Sequence, residues 1–314
     1  MSDSYPVELT APDITPYRAG NTGLDYVTSF DSGVGGPHVM ISAVTHGNEL
    51  CGAITLDFLF RRNIRPKRGK LTFAFNNFRA FLNFDPAHPL LSRFVDEDFN
   101  RLWSPEVLDG PRTSVELERA RELRPFIETV DCLLDIHSMQ TSVAPLMLSG
   151  PLAKGRELAR SVGCPVYVVS DEGHAAGRRL RDYGAFGDPA SNKNALLVEC
   201  GQHWEKASAD VSLETALRFL ISCDAVERDS VEEYLQPAGG PQKFVEVTDV
   251  VTIKSNAFRF SEPYQGLEVI PQAGTLLGMD GDEEVRTPHD NCILIMPSRR
   301  LHPGHTAVRL GRFL

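Results

Sequence analysis

A largely apolar run that stops at a polar turn constrains this sequence more than any other feature. Residues 39–44 have the sequence Val-Met-Ile-Ser-Ala-Val, which predicts a buried strand. The run ends at Thr45-His46-Gly47-Asn48, and a helical pattern begins at Glu49. His46 and Glu49 therefore flank a strand-to-helix turn at the carboxyl edge of a sheet, which is where open α/β sheets bind ligands.

An imidazole and a carboxylate that point at one position would form half of a zinc site. The same pair is also compatible with a structural histidine and a glutamate that suits the positive end of a helix dipole. His46 and Glu49 alone do not decide between these two interpretations.

Length, charge and cysteine usage limit the class of protein. A chain of 314 residues exceeds what one core usually supports, so we expect two domains. The formal net charge of -10 argues against nucleic-acid binding and requires any anion site to be a local cluster of arginines. The 6 cysteines include no Cys-x-x-Cys pair and are expected to be reduced and buried, rather than catalytic or disulfide-bonded.

The sequence also predicts where the protein is located. The first residues contain acids and lack the basic and apolar parts of a signal peptide. No apolar run approaches the roughly 20 residues needed to span a bilayer. We therefore expect a cytoplasmic protein with no membrane partner.

A strand, a helix and a second strand are predicted at residues 39–44, 50–60 and 69–75, which indicates a βαβ unit. A charged amphipathic helix over residues 112–129, capped by Thr113 or Ser114, precedes a buried strand at 130–136. His137 comes directly after that predicted strand, which is the same placement that His46 has after the first predicted strand. Asp135 lies on the same face and could orient an imidazole through its second nitrogen, although a structural histidine is equally compatible.

Two arginine-containing segments are candidate anion sites. The long loop over residues 76–103 contains Arg93 and Arg101, which suit a substrate carboxylate or a carbonyl that gains negative charge. Surface ion pairs with Asp96, Glu97 or Asp98 are the alternative. Residues 170–194 form a second polar segment whose arginines either reach a substrate anion or are solvated: Arg178, Arg179 and Arg181.

Glu199 interrupts an otherwise apolar strand at residues 195–201. Burial should raise the pKa of its carboxyl group, because ionisation away from water is costly. A raised pKa suits a general base acting on a metal-bound water. A structural salt bridge is the alternative.

Four motifs in order resemble the succinylglutamate desuccinylase/aspartoacylase family, relatives of the zinc carboxypeptidases. They are Thr45-His46-Gly47-Asn48-Glu49, Asp98-Phe99-Asn100-Arg101, Asp135-Ile136-His137-Ser138 and Val198-Glu199-Cys200-Gly201. The resemblance covers about residues 38–220. It implies an α/β fold with a zinc carboxypeptidase-like mixed sheet flanked by helices and a smaller C-terminal all-β, barrel-sandwich-like domain.

The resemblance also implies a cofactor and a set of site residues. It implies one Zn²⁺ per chain, bound by His46, Glu49 and His137, and a general base and acid, Glu199, that acts on a metal-bound water. It also implies that Arg93 polarises the scissile carbonyl, and that a substrate carboxylate is held by Asn100 and Arg101.

The character of the chain changes after about residue 225. We expect a catalytic domain at residues 1–225, a polar linker at 226–242, and a small β domain at 243–314, where short β-type runs alternate with Gly and Pro. The last region resembles a biotinyl/lipoyl-type hammerhead and is expected to cover the cleft or to support oligomerisation. The sequence does not assign roles to Tyr264, His289 or His305.

We therefore predict a zinc-dependent amidohydrolase that removes the acyl group from a small anionic N-acyl amino acid or related N-acyl amine. A carboxypeptidase acting on a short peptide, and a catalytically silent relative acting as a binding module, are the alternatives. A homo-oligomer is compatible with the sequence, which specifies neither the acyl group nor the amine.

Overall fold

The computed structural model describes residues 5–173, 176–237 and 239–314. Helices α1 to α6 span Leu50–Arg61, Phe78–Phe81, Pro105–Leu108, Val115–Ile127, Ala153–Val162 and Lys206–Ser222. Strands β1 to β7 span Val27–Asp31, His38–Ala43, Lys70–Phe75, Cys132–Met139, Leu146–Leu148, Tyr167–Ser170 and Asn194–Gln202. Strands β8 to β14 span Lys243–Thr252, Arg259–Phe260, Val269–Ile270, Leu276–Asp280, Glu283–Arg286, Cys292–Ile295 and Thr306–Phe313.

Most strands of the described chain join one 11-stranded mixed sheet, in the order β1-β3-β2-β4-β7-β5-β6-β8-β14-β13-β10. Its centre, β3-β2-β4-β7, is parallel. Strands β12, β11 and β9 form a separate 3-stranded sheet. The predicted mixed α/β sheet with a C-terminal all-β region is thus confirmed.

The central strands are buried on both faces, which explains their continuous apolar sequences. In β2, Val39 and Ile41 face a core that also contains α1 and α6, whereas Met40 faces a core built partly from α4. The two helices of the first core are joined by a buried hydrogen bond between Thr55 Oγ1 and Ser212 Oγ, 2.7 Å apart. Helices on both faces leave the carboxyl edge of the sheet open for a site.

The boundaries of several elements follow from local chemistry. Helix α4 begins after Ser114, whose hydroxyl accepts a hydrogen bond from Leu117 N at 3.0 Å, so the predicted cap is confirmed. Strand β8 pairs in parallel with β6, and the main sheet therefore continues past the polar segment at residues 226–242. The division into a catalytic domain, a linker and a β domain stays a prediction.

Two further predictions concern the whole chain. All the cysteines are free, as expected, although Cys132 and Cys164 are only half-buried. Within the described residues, no helix combines the length and the apolar composition needed to cross a bilayer.

Candidate active site

Three parallel strands bring distant polar residues to one edge of the sheet. His46 follows β2, His137 lies in β4, and Glu199 lies in β7. His137 and Glu199 are register partners on neighbouring strands, so their side chains point to the same face. The candidate site is therefore built from residues that are more than 150 positions apart in sequence.

The turn that carries His46 packs directly against the loop that carries Arg93. Gly47 N donates a hydrogen bond to Arg93 O at 3.0 Å. A Cβ atom on Gly47 would lie 2.3 Å from Ser92 O and 2.4 Å from the carbonyl carbon of Ala80. Only glycine fits between these backbones, and its presence lets the two segments of the site meet.

Glu49 lies between the two histidines. Its Oε1 is 2.8 Å from His46 Nδ1, and its Oε2 is 3.0 Å from His137 Nδ1. The ligand atoms of the three buried residues all lie within 4.8 Å of one another. We call these three residues the His-Glu-His cluster. The structure brings the predicted ligands together, and their role as ligands stays a prediction.

Each histidine of the cluster is held by an aspartate through its second nitrogen. His46 Nε2 is 2.9 Å from Asp98 Oδ1, and His137 Nε2 is 2.7 Å from Asp135 Oδ2. The contact of Asp135 with the imidazole confirms the predicted orienting interaction, whereas the contact of Asp98 was not predicted. A proton on Nε2 of His137, facing Asp135, leaves the Nδ1 lone pair of that ring directed at Glu49.

The cluster fits a divalent cation such as zinc. Burial by itself would raise the pKa of Glu49, but His46 and His137 hold it well below its usual range. Burial would lower the pKa of His137, but Asp135 and Glu49 raise it well above its usual range. Glu49 Oε2 is buried and makes no hydrogen bond of normal geometry. A cation that replaced the His137 proton would satisfy this oxygen and both Nδ1 atoms.

Glu199 is the second buried acid beside the cluster. Burial raises the pKa of its carboxyl group to about 8, and the nearby charges of His137 and Glu49 act in opposite directions. The predicted upward shift is confirmed. Glu199 makes no ion pair within the described chain, and its buried Oε2 has no hydrogen-bond partner there. The alternative of a structural salt bridge therefore has no support.

A buried carboxylate organises the loop that carries Arg93 and Asp98. Glu116, in the first turn of α4, is completely buried. It accepts four hydrogen bonds, three of them from consecutive backbone amides of the loop: Val95 N at 2.7 Å, Asp96 N at 3.0 Å, Glu97 N at 3.2 Å and Asn77 Nδ2 at 3.1 Å. The loop is thus held in one conformation despite its irregular sequence.

Arg93 lies beside the cluster, where it pairs with Asp98. Its Nη2 is 3.1 Å from Asp98 Oδ2 and 2.9 Å from His46 Nε2. The pair is largely buried rather than at the surface, with 17% and 21% of the side chains exposed. Arg93 Nε is buried without a partner among the described residues. The proposed contact of Arg93 with a substrate carbonyl stays a prediction.

Asn100 and Arg101 follow on the same loop. Asn100 Oδ1 accepts a hydrogen bond from Leu180 N at 2.8 Å, so its amide N–H groups are the part that remains for a ligand. Arg101 Nη1 donates to Asn100 O at 2.7 Å. Burial and the neighbouring arginines lower the pKa of Arg101 to about 10, against the attraction of Asp98. Arg101 therefore stays charged at neutral pH.

A cavity of about 300 Å³ connects these residues. All seven predicted site residues line it, and the segment between β13 and β14 forms its opposite side. This lining supports the expectation that the C-terminal region covers the cleft, which stays a prediction. We name four lining arginines the cation wall: Arg101, Arg179, Arg300 and Arg309.

Comparison with known proteins identifies the family. Residues 35–220 match the model of the succinylglutamate desuccinylase/aspartoacylase catalytic domain. The chain belongs to this family. Its members are deacylases, which is the general class of chemistry expected from the sequence. Among curated proteins, none matches the chain significantly.

Solved structures of the succinylglutamate desuccinylase/aspartoacylase type share the fold. Succinylglutamate desuccinylase from Vibrio cholerae is 17% identical, with 92% of this chain and 86% of that chain covered and a TM-score of 0.64. Succinylglutamate desuccinylase/aspartoacylase from Rhodobacter sphaeroides is 16% identical, with 92% and 88% covered and a TM-score of 0.63. A product-bound structure of the ectoine utilization protein EutE from Ruegeria pomeroyi is 15% identical, with 93% and 92% covered and a TM-score of 0.60.

The cation wall of this family member is only partly neutralised. Arg179 donates to both oxygens of Asp171, at 2.7 and 2.9 Å, and to Asp182 at 2.6 Å. Arg309 Nε is 3.2 Å from Asp171 Oδ2. Arg101 and Arg300 have no carboxylate at ion-pair distance in the described ranges. These two arginines give the cavity a surplus of positive charge.

The residues whose roles the sequence left open have different positions. Arg181 is structural, because it donates to Asp182 and to two backbone oxygens. The backbone of Arg178 bonds to Trp103 N, and that side chain does not line the cavity. Of the other three, only His305 lines the cavity, whereas two form hydrogen bonds elsewhere: Tyr264 with Leu276 O, and His289 with Thr248.

Sequence reasoning gave no role to several lining residues, among them Ser138, His203, Arg300 and Arg309. Arg300 and Arg309 belong to the C-terminal β region, and nothing local distinguishes them from surface arginines. Ser138 follows His137, which was already singled out, and His203 follows the last residue of β7. The signal for His203 was its place directly after β7, which is the placement that identified His46.

Proposed function

We propose that this family member is a zinc-dependent deacylase that hydrolyses the amide bond of a small anionic N-acyl amino acid or related N-acyl amine. One observation carries the proposal: a buried His-Glu-His cluster with both second nitrogens held by aspartates lies beside Glu199, a buried acid without a partner in the described chain. Membership in a family of deacylases supports it.

His46, Glu49 and His137 would hold the metal. Two imidazoles and one carboxylate are the donor set of a catalytic zinc site, which retains an open position for a water or a substrate. When bound, zinc would supply a Lewis acid that polarises a carbonyl and lowers the pKa of water to about 7. Asp135 would keep the imidazole of His137 in the required tautomer, and Asp98 would hold the ring of His46 in position.

Glu199 is the proposed general base. Its carboxylate would accept a proton from the attacking water, whose oxygen bonds to the carbonyl carbon of the amide. Glu199 would then pass that proton to the nitrogen of the leaving amine as the C–N bond breaks. A pKa raised by burial suits both steps, because the group must gain and lose a proton near neutral pH. The products are a carboxylic acid and an amine.

Arg93 is the proposed stabiliser of the negative charge that develops on the carbonyl oxygen. It is a fixed cation that lies beside His46, and its position is set by Asp98 before substrate arrives. Donors positioned in advance are effective because they need no reorganisation during the reaction.

The cation wall supports an anionic substrate. Arg101 and Arg300 are half-buried charged groups without carboxylate partners in the described chain, and Asn100 keeps its amide N–H groups for the same ligand. A carboxylate there would relieve the cost of burying unpaired charge. The cavity of about 300 Å³ suits a small molecule better than a long peptide. A product-bound structure among the similar folds also supports a small-molecule ligand.

Metal analysis and a substrate panel test the proposal. The purified protein should contain about one zinc per chain. It should release the amine from at least one member of a panel of N-succinyl, N-acetyl and N-acyl-aspartate compounds, and a chelator should abolish this activity. Faster cleavage of dipeptides would favour the carboxypeptidase alternative. No bound metal and no turnover would favour the catalytically silent relative and contradict our proposal.

A further inference from the structure

A histidine and a serine in the cavity wall, His203 and Ser138, are not used by the proposed mechanism. His203 follows β7, is only 2% exposed and lines the cavity. Its Nδ1 lies 2.8 Å from the hydroxyl oxygen of Ser138, the residue after His137. Ser138 lines the same cavity. The two side chains therefore form a hydrogen-bonded unit next to the His-Glu-His cluster but outside it.

His203 is held firmly in place. Its backbone N donates to Met139 O at 2.8 Å, which ties the end of β7 to the end of β4. The next residue is anchored twice, since Trp204 N donates to Gln202 Oε1 at 2.8 Å and Trp204 Nε1 donates to Asn48 O at 3.2 Å. A ring fixed in this way can direct a hydrogen bond, because little conformational freedom is lost on binding.

The contact with Ser138 suits an imidazole that carries its proton on Nε2. In the described chain, Nδ1 of His203 is the only acceptor within hydrogen-bond distance of the Ser138 hydroxyl. When the hydroxyl donates to Nδ1, a neutral ring carries its own proton on Nε2. Nε2 has no hydrogen-bond partner in the described ranges. A purely structural histidine would have both nitrogens satisfied by protein.

The surroundings of His203 indicate what Nε2 can bind. Burial is the main reason that the pKa of His203 falls to about 3, and Arg93, His46 and Arg300 add to this effect against the opposing charge of Glu49. The ring is therefore neutral at any working pH. A neutral N–H that faces a cavity with surplus positive charge is complementary to an oxygen atom that carries partial or full negative charge.

We propose that His203 is a substrate-binding residue whose Nε2–H donates a hydrogen bond to a carbonyl or carboxylate oxygen of the bound substrate, and that Ser138 is a positioning residue that keeps the proton on Nε2. The identity of the substrate rests on the proposed function. The position of the imidazole proton on Nε2 and the access of a ligand to Nε2 can be tested independently of that function.

Two substitutions at His203 distinguish its nitrogens. Glutamine places its amide N–H near the position of imidazole Nε2, whereas asparagine reaches only the position of Nδ1. We expect His203→Asn to lower kcat/KM at least tenfold, as for the loss of one directed hydrogen bond in a buried site. His203→Gln should recover most of that loss. Ser138→Ala should raise KM more than it lowers kcat. Equal losses for the two His203 variants, with unchanged metal content and Tm, would overturn the assignment of Nε2.

A measurement without turnover separates this inference from the proposed function. In the zinc-loaded protein labelled with ¹⁵N-histidine, the ring nitrogens of His203, assigned by comparison with His203→Gln, should show the Nε2–H tautomer between about pH 5.5 and 8.5, a range in which an unperturbed histidine changes its charge. Ser138→Ala should weaken that preference, and added succinate should shift the Nε2–H signal. An Nδ1–H tautomer, or an Nε2–H signal that succinate and product amino acid leave unchanged, would contradict our proposal even if the acyl panel is hydrolysed.

Discussion

The two sides of the cavity differ in whether their positively charged or imidazole side chains have carboxylate partners among the described residues. In the His-Glu-His cluster, each imidazole has an aspartate on one nitrogen and Glu49 on the other. In the cation wall, Arg101 and Arg300 have no carboxylate partner in the described part of the chain. Burial of an unpaired charge costs several kcal/mol, so a fold retains it only where something else supplies the partner. We therefore propose that the cluster binds a cation and that the wall binds an anion.

This difference separates two properties of the proposed enzyme. We propose that the acidic and imidazole side of the cavity determines whether amide hydrolysis occurs, and that the arginine side determines which substrates bind. Substitutions on the first side should reduce turnover for every substrate, whereas substitutions on the second should discriminate between substrates. The predictions below test this separation.

The largest effect is expected for Glu199→Gln. The variant should keep its metal, because the ligands are unchanged, but kcat should fall on the order of 100-fold or more with the loss of the general base. Steady-state kinetics and metal analysis of the same preparation measure both quantities. A rate similar to wild type would exclude Glu199 as the base.

The same variant should change how stability depends on pH in the metal-free protein. The folded-state pKa of Glu199 is about 8, above its value in the unfolded chain. Its contribution to stability is therefore full below the unfolded pKa and is lost as pH rises toward 8. Wild type should lose a few kcal/mol at most relative to Glu199→Gln over that range. Denaturant titrations with chelator at pH 5 and pH 8 measure this, and parallel changes in both proteins would contradict the raised pKa.

A smaller effect on the same side is expected for Asp135→Asn. The asparagine amide that replaces the carboxylate should orient the His137 ring less well and make its ligating nitrogen less basic. Metal affinity should therefore fall by about 10- to 100-fold. Asp131→Asn is a matched control, because Asp131 directly precedes the strand that contains Asp135. Its carboxylate accepts a hydrogen bond from His38 N and does not contact the cluster. Competition with a chromogenic chelator gives both affinities. Equal affinities for the two variants would show that Asp135 does not support a metal ligand.

On the arginine side, Arg101→Ala should raise KM by about tenfold for substrates with a free carboxylate. The lost ion pair stabilises the bound substrate and the transition state equally, so kcat should change little. Substrates in which that carboxylate is amidated should be nearly unaffected. Arg228→Ala, at an exposed arginine that does not line the cavity, is the control. Equal increases for charged and neutral substrates would remove Arg101 from the anion site.

The smallest catalytic effect is expected for Glu116→Gln, which alters both sides indirectly. In wild type, backbone N–H groups of the loop donate to both carboxylate oxygens of Glu116. The glutamine side chain has only one acceptor oxygen, and its NH₂ group would face some of these donors. The loop that carries Arg93, Asp98 and Arg101 should therefore become less ordered. We expect KM to rise severalfold and stability to fall by about 1–3 kcal/mol. Glu118→Gln, exposed on the same helix turn, should change neither. An unchanged KM in Glu116→Gln would show that the loop does not need this carboxylate.

Much of the site was predictable because it lies at the ends of strongly apolar strands. His46, His137 and Glu199 interrupt or follow runs that can only be buried strands, and parallel strands place their carboxyl ends together. The motif Asp98-Phe99-Asn100-Arg101 was recognisable as a motif. However, its sequence did not show that Asp98 would hold His46 while Arg101 stayed without a carboxylate. That choice depends on Glu116, which holds the loop from a helix about 20 residues away in sequence.

The sequence alone determined the order of strands and helices, the burial of the central sheet and the candidate metal ligands, because these depend on local periodicity and on residue type. Only the tertiary structure decided which carboxylate each cation meets. It paired Arg179 with Asp171, gave Arg101 and Arg300 no carboxylate partner among the residues described, and placed a C-terminal segment and His203 in the cavity wall. The physical reason is that ion pairing and burial depend on distances between residues far apart in the chain, which no local pattern encodes.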